Sequence, residues 1–207
     1  WVENPTFVYN TGGGNAQQSQ EKTPCETLKN QSIDNLNFEK KLDSIKQRVL
    51  TTNPNRDMTE TLIAVSRSGD NYNYSATNTT VTANGLLTVA GEMTSLDVAV
   101  MHNHPVGTIP IFSHVDIVDL FIAYNFVTQS RKNEFTSYLV SFNNTTYALR
   151  MENMDALTAL FDGLDLDTPQ GRIDANDRVF EIFETYGLMR KNNPPYTQAM
   201  AEALFMN

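Results

Sequence analysis

The chain has 207 residues, a formal net charge of −9 and a single cysteine, Cys25. This acidic balance repels phosphate backbones, so we expect no nucleic-acid partner, and one cysteine excludes an internal disulfide or a thiolate metal cluster. The apolar run over 115–123 is interrupted by Asp119 and is shorter than the roughly 20 residues of a membrane-spanning helix, so we expect no membrane insertion.

The N-terminal segment has the composition of a flexible linker, since residues 10–20 are mostly Gly, Asn, Gln and Ser. We therefore predict a tether over 1–33. The first residue is Trp1 rather than Met, so we expect the chain to be part of a longer polypeptide. A tethered module suits a secreted or surface-attached protein, which makes an extracytoplasmic location our expectation and a cytoplasmic one the alternative.

The order of helix and strand patterns over residues 34–152 predicts one α/β domain of mixed α+β type. Apolar residues at steps of three and four along 36–50 predict an amphipathic helix there. Alternating or continuous apolar runs separated by Gly, Asn and Asp turns predict strands, and a longer apolar segment predicts a mostly covered helix. The strands are expected at 60–67, 72–76, 79–82, 86–89, 96–102, 136–142 and 145–151, and the covered helix at 113–127.

Residues 153–207 predict a helical C-terminal extension packed on this domain. Its helices are expected at 154–164, 176–191 and 197–206, the last one after the helix-breaking pair Pro194 and Pro195. The acidic run over 162–167 lacks the ligand spacing and terminal Glu of an EF-hand loop. We therefore interpret it as a solvated helix end.

All three histidines of the chain lie within 102–114. His102 and His104 project to the same face of the strand that carries them, because side chains alternate along a strand. Ser113 is the expected N-cap of the next helix, and this places Asp116 in its first turn. His114, in the same turn, is expected to be solvated.

Two imidazoles and one carboxylate predict a metal site with its fourth position open to water, as in catalytic zinc centres. Zinc lowers the pKa of such a water from 15.7 to about 7. The alternative interpretation of Ser113 and Asp116 is a capping box, in which each side chain bonds the other residue's backbone N–H.

The order Glu60, His102-x-His104-Pro, Ser113-x-x-Asp116 is similar to the signature of the JAMM (MPN+) metallopeptidases, also called JAB-domain peptidases. The resemblance covers residues 36–151 and implies a cytidine-deaminase-like JAB/MPN sheet flanked by helices. It implies that His102, His104 and Asp116 hold Zn²⁺, that Glu60 orients and deprotonates the water, and that Ser113 donates a hydrogen bond to the oxyanion. The family usually places seven residues between the second His and the Ser, whereas this chain has eight.

The resemblance also implies an activity, the zinc-dependent hydrolysis of a peptide or isopeptide bond in a peptide or protein substrate. Three alternatives stay open from the sequence. In the first, the chain is a catalytically silent JAB-like module for binding or assembly. In the second, it hydrolyses another amide, such as one in cell-wall peptides. In the third, the catalytic base is Glu92 instead of Glu60.

Overall fold

The computed structural model describes residues 26, 28, 29, 31, 35–50, 60–77, 79–81, 87–89, 93–151, 154–188 and 197–206. Its first long helix, α1 (Leu36–Val49), confirms the helix predicted from the apolar spacing. The Asn35 side chain caps it, since Oδ1 accepts hydrogen bonds from two first-turn backbone N–H groups at 3.2 Å. Phe38, Ile45 and Val49 are buried on one side of the helix.

The centre of the fold is a five-stranded mixed sheet with the order β2-β1-β5-β6-β7. Its strands are β1 (Leu62–Ser68), β2 (Asn71–Thr77), β5 (Asp97–His104), β6 (Thr136–Ser141) and β7 (Thr146–Arg150). The strands β3 (Thr79–Val81) and β4 (Leu87–Val89) form a separate antiparallel pair. Only β5 and β6 run parallel within the larger sheet, and the other pairs are antiparallel.

A parallel strand pair requires a crossover connection. Here the connection is α2 (His114–Phe126), followed by a short helix, α3 (Gln129–Lys132), that the sequence analysis did not predict. The crossover returns the chain beside β5, so the histidine-bearing strand lies in the middle of the sheet. The structure thus confirms a mixed sheet flanked by helices.

Helices cover β5 from both faces, and all eight of its residues are buried. On one face, Met101 belongs to a core cluster with Phe38 of α1. On the other face, Val100 packs with Leu120 and Ala123 of α2. His102 and His104 share the face of Val100, because side chains alternate along the strand. The metal-ligand candidates are therefore directed toward α2.

The C-terminal extension contains α4 (Asp155–Leu160), α5 (Pro169–Thr185) and α6 (Gln198–Phe205). Helix α5 begins well before the predicted residue 176, because Thr168 caps it and Pro169 suits the first turn of a helix. Residues of α2 and α5, such as Phe121 and Val179, belong to one buried cluster. None of the helices in the described part of the chain combines the length and hydropathy needed to cross a membrane.

A few residues of the predicted tether are described, and one of them lies in the core. Gln31 is 2 % exposed. Its amide nitrogen donates to the backbone oxygen of Glu134 at 2.8 Å, and its amide oxygen accepts from the Tyr138 hydroxyl at 2.9 Å. The segment is thus anchored at Gln31, while residues 1–25 of the predicted tether, including Cys25, lie outside the described residues.

Candidate metal centre

The end of β5 presents two imidazoles side by side. The ring centroids of His102 and His104 are 5.2 Å apart, and both side chains are buried. Pro105 follows the strand and starts a tight turn, in which the backbone N–H of Thr108 donates to the oxygen of Pro105 at 3.2 Å. Gly107 has a φ of 99°, a value that favours glycine. The turn sends the chain back over the strand end toward α2.

A capping box at the start of α2 orients the carboxylate of Asp116. Its Oδ2 accepts hydrogen bonds from the Ser113 backbone N–H at 2.6 Å and from the Ser113 hydroxyl at 2.8 Å. The Asp116 N–H in turn donates to Ser113 Oγ at 3.3 Å. The capping-box alternative is therefore confirmed, and the eighth residue of the preceding loop does not prevent Asp116 from reaching the histidines.

His102, His104 and Asp116 converge on one point. His102 Nε2 lies 3.1 Å from Asp116 Oδ1, and His104 Nε2 lies 3.3 Å from Asp116 Oδ2. One ligand atom from each residue can be chosen so that all three lie within 4.8 Å of one another. This set, buried to partly buried, could hold a metal ion.

The protonation of the histidines tests whether a cation fits. His104 Nδ1 is 2.8 Å from the backbone oxygen of Ile109, and a carbonyl only accepts, so Nδ1 carries the proton. In the neutral ring, Nε2 then directs its lone pair at the Asp116 carboxylate, which is repulsive unless a proton or a metal cation lies between them. His102 Nε2 is buried without a hydrogen-bond partner despite its nearness to Asp116. The donor set therefore fits a cation.

The electrostatics of the three residues also favour a cation at this point. Burial alone would raise the pKa of Asp116, but the adjacent His102 and His104 imidazoles hold it well below its usual range. Burial lowers the pKa of His104, but the hydrogen bond and charge of Asp116, together with the charge of Glu60, outweigh it and raise that pKa. Asp116 is therefore an ionised carboxylate that stabilises positive charge at this point.

Glu60 lies two residues before the start of β1, beside the site. The antiparallel register pairs Leu62 with His102, and continuing it by two residues puts Glu60 opposite His104. Burial raises the pKa of Glu60, the charges of His104 and His102 lower it, and the charge of Asp116 raises it. Glu60 is thus electrostatically coupled to all three ligand candidates. The alternative base, Glu92, lies outside the described residues.

His114 does not belong to the metal centre, and it is not solvated as predicted. Its ring contacts Phe180 and Phe183 of α5, with centroid distances of 5.2 and 6.3 Å. Burial lowers its pKa, although nearby carboxylates oppose this. The side chain is half-buried instead of fully solvated because α5 packs against the first turn of α2, a contact between residues far apart in the sequence.

An aromatic wall beside the histidines was missed by the sequence analysis. The ring of Phe112 lies 6.0 Å from that of His102, 6.5 Å from Tyr147 and 6.4 Å from Phe205 of α6. The Tyr147 hydroxyl donates to Glu202 of α6 at 2.6 Å. Helix α6 is therefore held next to the loop that leads to Ser113, and no local sequence signal indicates this.

Comparison with protein-family models, with curated proteins and with solved structures yields no match for this chain.

Proposed function

We propose that this chain is a zinc-dependent hydrolase of peptide or isopeptide bonds with a JAMM-type site on a JAB-like sheet. One observation carries the proposal: Nε2 of His104 and the buried Nε2 of His102 both face the carboxylate of Asp116, at 3.3 and 3.1 Å. Such a cluster calls for a cation at its centre. The order Glu60, His102-x-His104-Pro, Ser113-x-x-Asp116 along the chain supports the choice of a JAMM-type site.

Zinc is the ion that this donor set favours. Imidazole nitrogen is a good ligand for zinc, and two His with one carboxylate form a known catalytic set that leaves one position open. Calcium and magnesium prefer an all-oxygen shell, which two imidazoles do not provide. When bound, the ion would supply Lewis acidity and lower the pKa of a water molecule to near neutrality.

Glu60 would then carry out both proton transfers of the hydrolysis. The water oxygen attacks the carbonyl carbon of the scissile amide, and the Glu60 carboxylate takes the proton that the water loses. When the C–N bond breaks, Glu60 passes this proton to the leaving nitrogen. Burial raises the pKa of Glu60, which brings it closer to the value at which it can both accept and return a proton.

The Ser113 hydroxyl contacts a ligand candidate in this structure. It donates to Asp116 Oδ2 at 2.8 Å and is thus engaged in orienting a ligand candidate. The second candidate function is a JAB-like module that binds a protein partner without hydrolysing it; such a module needs no oxyanion donor, which agrees with a Ser113 hydroxyl that is engaged with Asp116. Oxyanion stabilisation by Ser113 requires its hydroxyl to turn toward the substrate.

Metal analysis of the purified chain tests the first step. We expect about one tightly held zinc per chain, as is usual for a three-ligand protein site. His102→Ala and Asp116→Ala should lose the ion. His114→Ala is the matched control, because it removes a histidine that is near in sequence but outside the cluster, and it should retain zinc. Zinc loss in the control alone would contradict the assigned ligands.

Digestion of a peptide library by the zinc-loaded chain tests hydrolysis and identifies the preferred bond. Glu60→Gln keeps the size of the side chain but cannot accept the proton, so we expect it to retain zinc and lose cleavage. A zinc-loaded wild-type chain that cleaves neither linear peptides nor isopeptide-linked ones would favour the binding module. Full activity of Glu60→Gln would mean that another residue is the base.

A further inference from the structure

Asn103 lies between the two metal-ligand candidates in the sequence but faces the other side of the sheet. It is fully buried, with 0 % of its surface exposed, on the face of Met101. Burying an amide side chain costs free energy unless its polar atoms have hydrogen-bond partners. The partner of its oxygen therefore indicates what the residue does.

The oxygen of Asn103 holds the chain next to Glu60. Its Oδ1 accepts a hydrogen bond from the backbone N–H of Thr61 at 2.8 Å, and this contact is buried. Leu62 and His102 are the last paired residues of β1 and β5 at this end. At the next position, the Asn103 side chain binds the Thr61 N–H in place of a backbone contact between the two strands. Glu60 directly precedes Thr61 in the chain.

This hydrogen bond has a geometric consequence for Glu60. The end of a strand beyond its last paired residue is free to fray unless another group binds its backbone. Fixing the Thr61 N–H limits the positions that the Glu60 backbone can adopt. A displacement of about 1 Å in a reacting group can lower a catalytic rate on the order of 100-fold.

We propose that Asn103 is a positioning residue that holds the Glu60 carboxylate beside the metal centre through the Thr61 backbone. This inference rests on the proposed function, since Glu60 acts there as the base. Strand β5 thus supplies the ligand candidates His102 and His104 on one face of the sheet. From the opposite face, Asn103 fixes the backbone next to the base, Glu60. The same segment of β5 therefore positions the ligand candidates and the base relative to each other.

Amide hydrogen exchange of the full chain tests the anchor without any substrate. In the wild type, the Thr61 amide should be protected. In Asn103→Leu, which keeps the size but removes the acceptor, its exchange should accelerate at least about tenfold, while the Val100 and Met101 amides keep their protection. Asn103→Asp retains an acceptor oxygen and should restore protection. A wild-type Thr61 amide that exchanges as fast as an exposed one overturns the proposal.

Kinetics on the peptide selected by the library digest test the catalytic consequence. In Asn103→Leu we expect kcat to fall by about 10- to 100-fold at unchanged KM and unchanged zinc content, with recovery in Asn103→Asp. Ser137→Ala, which alters a buried polar residue of the neighbouring strand, is the matched control and should keep kcat within about twofold of the wild type.

The two proposals fail in different ways. If the wild type cleaves the peptide and Asn103→Leu cleaves it equally well with the same zinc content, the positioning role is overturned and the proposed function stands. If the wild type holds no zinc or cleaves nothing, the proposed function fails, and the catalytic role of Asn103 fails with it.

Discussion

Replacing Ser113 with alanine removes the hydroxyl group that links the start of α2 to the candidate metal ligand Asp116. Two hydrogen bonds are lost, the one that the hydroxyl donates to Asp116 Oδ2 at 2.8 Å and the one that it accepts from the Asp116 N–H at 3.3 Å. The backbone N–H of Ser113 still donates to the same carboxylate oxygen at 2.6 Å. The variant therefore loosens Asp116 without releasing it.

The expected effects differ for stability and for metal affinity. Loss of an N-cap hydroxyl costs about 0.5 to 2 kcal/mol of unfolding free energy, and the long 3.3 Å contact to the cap places this case near the lower end. Removing a group that orients a metal ligand typically lowers metal affinity about 10- to 100-fold, which corresponds to about 1.4 to 2.8 kcal/mol. Because one backbone hydrogen bond to the carboxylate remains, we expect a loss of about tenfold.

Competition between the chain and a zinc chelator measures the affinity, and urea denaturation of the zinc-free chain measures the stability. Ser113→Thr keeps the hydroxyl and is the matched control, so it should retain most of the affinity. If Ser113→Ala bound zinc as tightly as the wild type but hydrolysed substrate more slowly, the hydroxyl would act on the oxyanion instead of on Asp116. The orienting role assigned here would then be refuted.

Further predictions concern the base, the C-terminal helix and the core. Since burial raises the folded-state pKa of Glu60, its ionised form opposes folding above that pKa, and Glu60→Gln should raise the melting temperature of the zinc-free chain at neutral pH in calorimetry. Hydrolysis should increase as the pH rises through the pKa of Glu60 in the zinc-loaded chain, because the base must be ionised, and a kcat/KM profile of the wild type that is flat from pH 4 to pH 8 would contradict it. A double-mutant cycle with Tyr147→Phe and Glu202→Gln should give a coupling of about 1 kcal/mol in denaturation experiments, and a coupling near zero would argue against the docking of α6. Phe38→Ala should cost about 3 to 5 kcal/mol in unfolding free energy, because the side chain is fully buried under the sheet.

The ligand candidates could be predicted from the sequence because the patterns that place them are local. Alternation along a strand puts His102 and His104 on one face, and the chemistry of an N-cap puts Asp116 one turn after Ser113. Apart from the short α3, the order of helices and strands from α1 to β7 follows from local apolar spacing and turn residues in the same way. The predicted start of α5 at residue 176 was wrong, because Thr168 caps the helix and Pro169 suits its first turn.

Contacts between distant parts of the chain could not be predicted in this way. Asn103 and Thr61 are 42 residues apart and meet only because β1 pairs with β5. His114 contacts Phe180 only because α5 packs on α2. Sequence patterns indicate the period and the ends of single helices and strands, and these are enough to predict which residues share a face. Packing between elements decided which faces meet, because that depends on the burial of apolar surface over the whole fold.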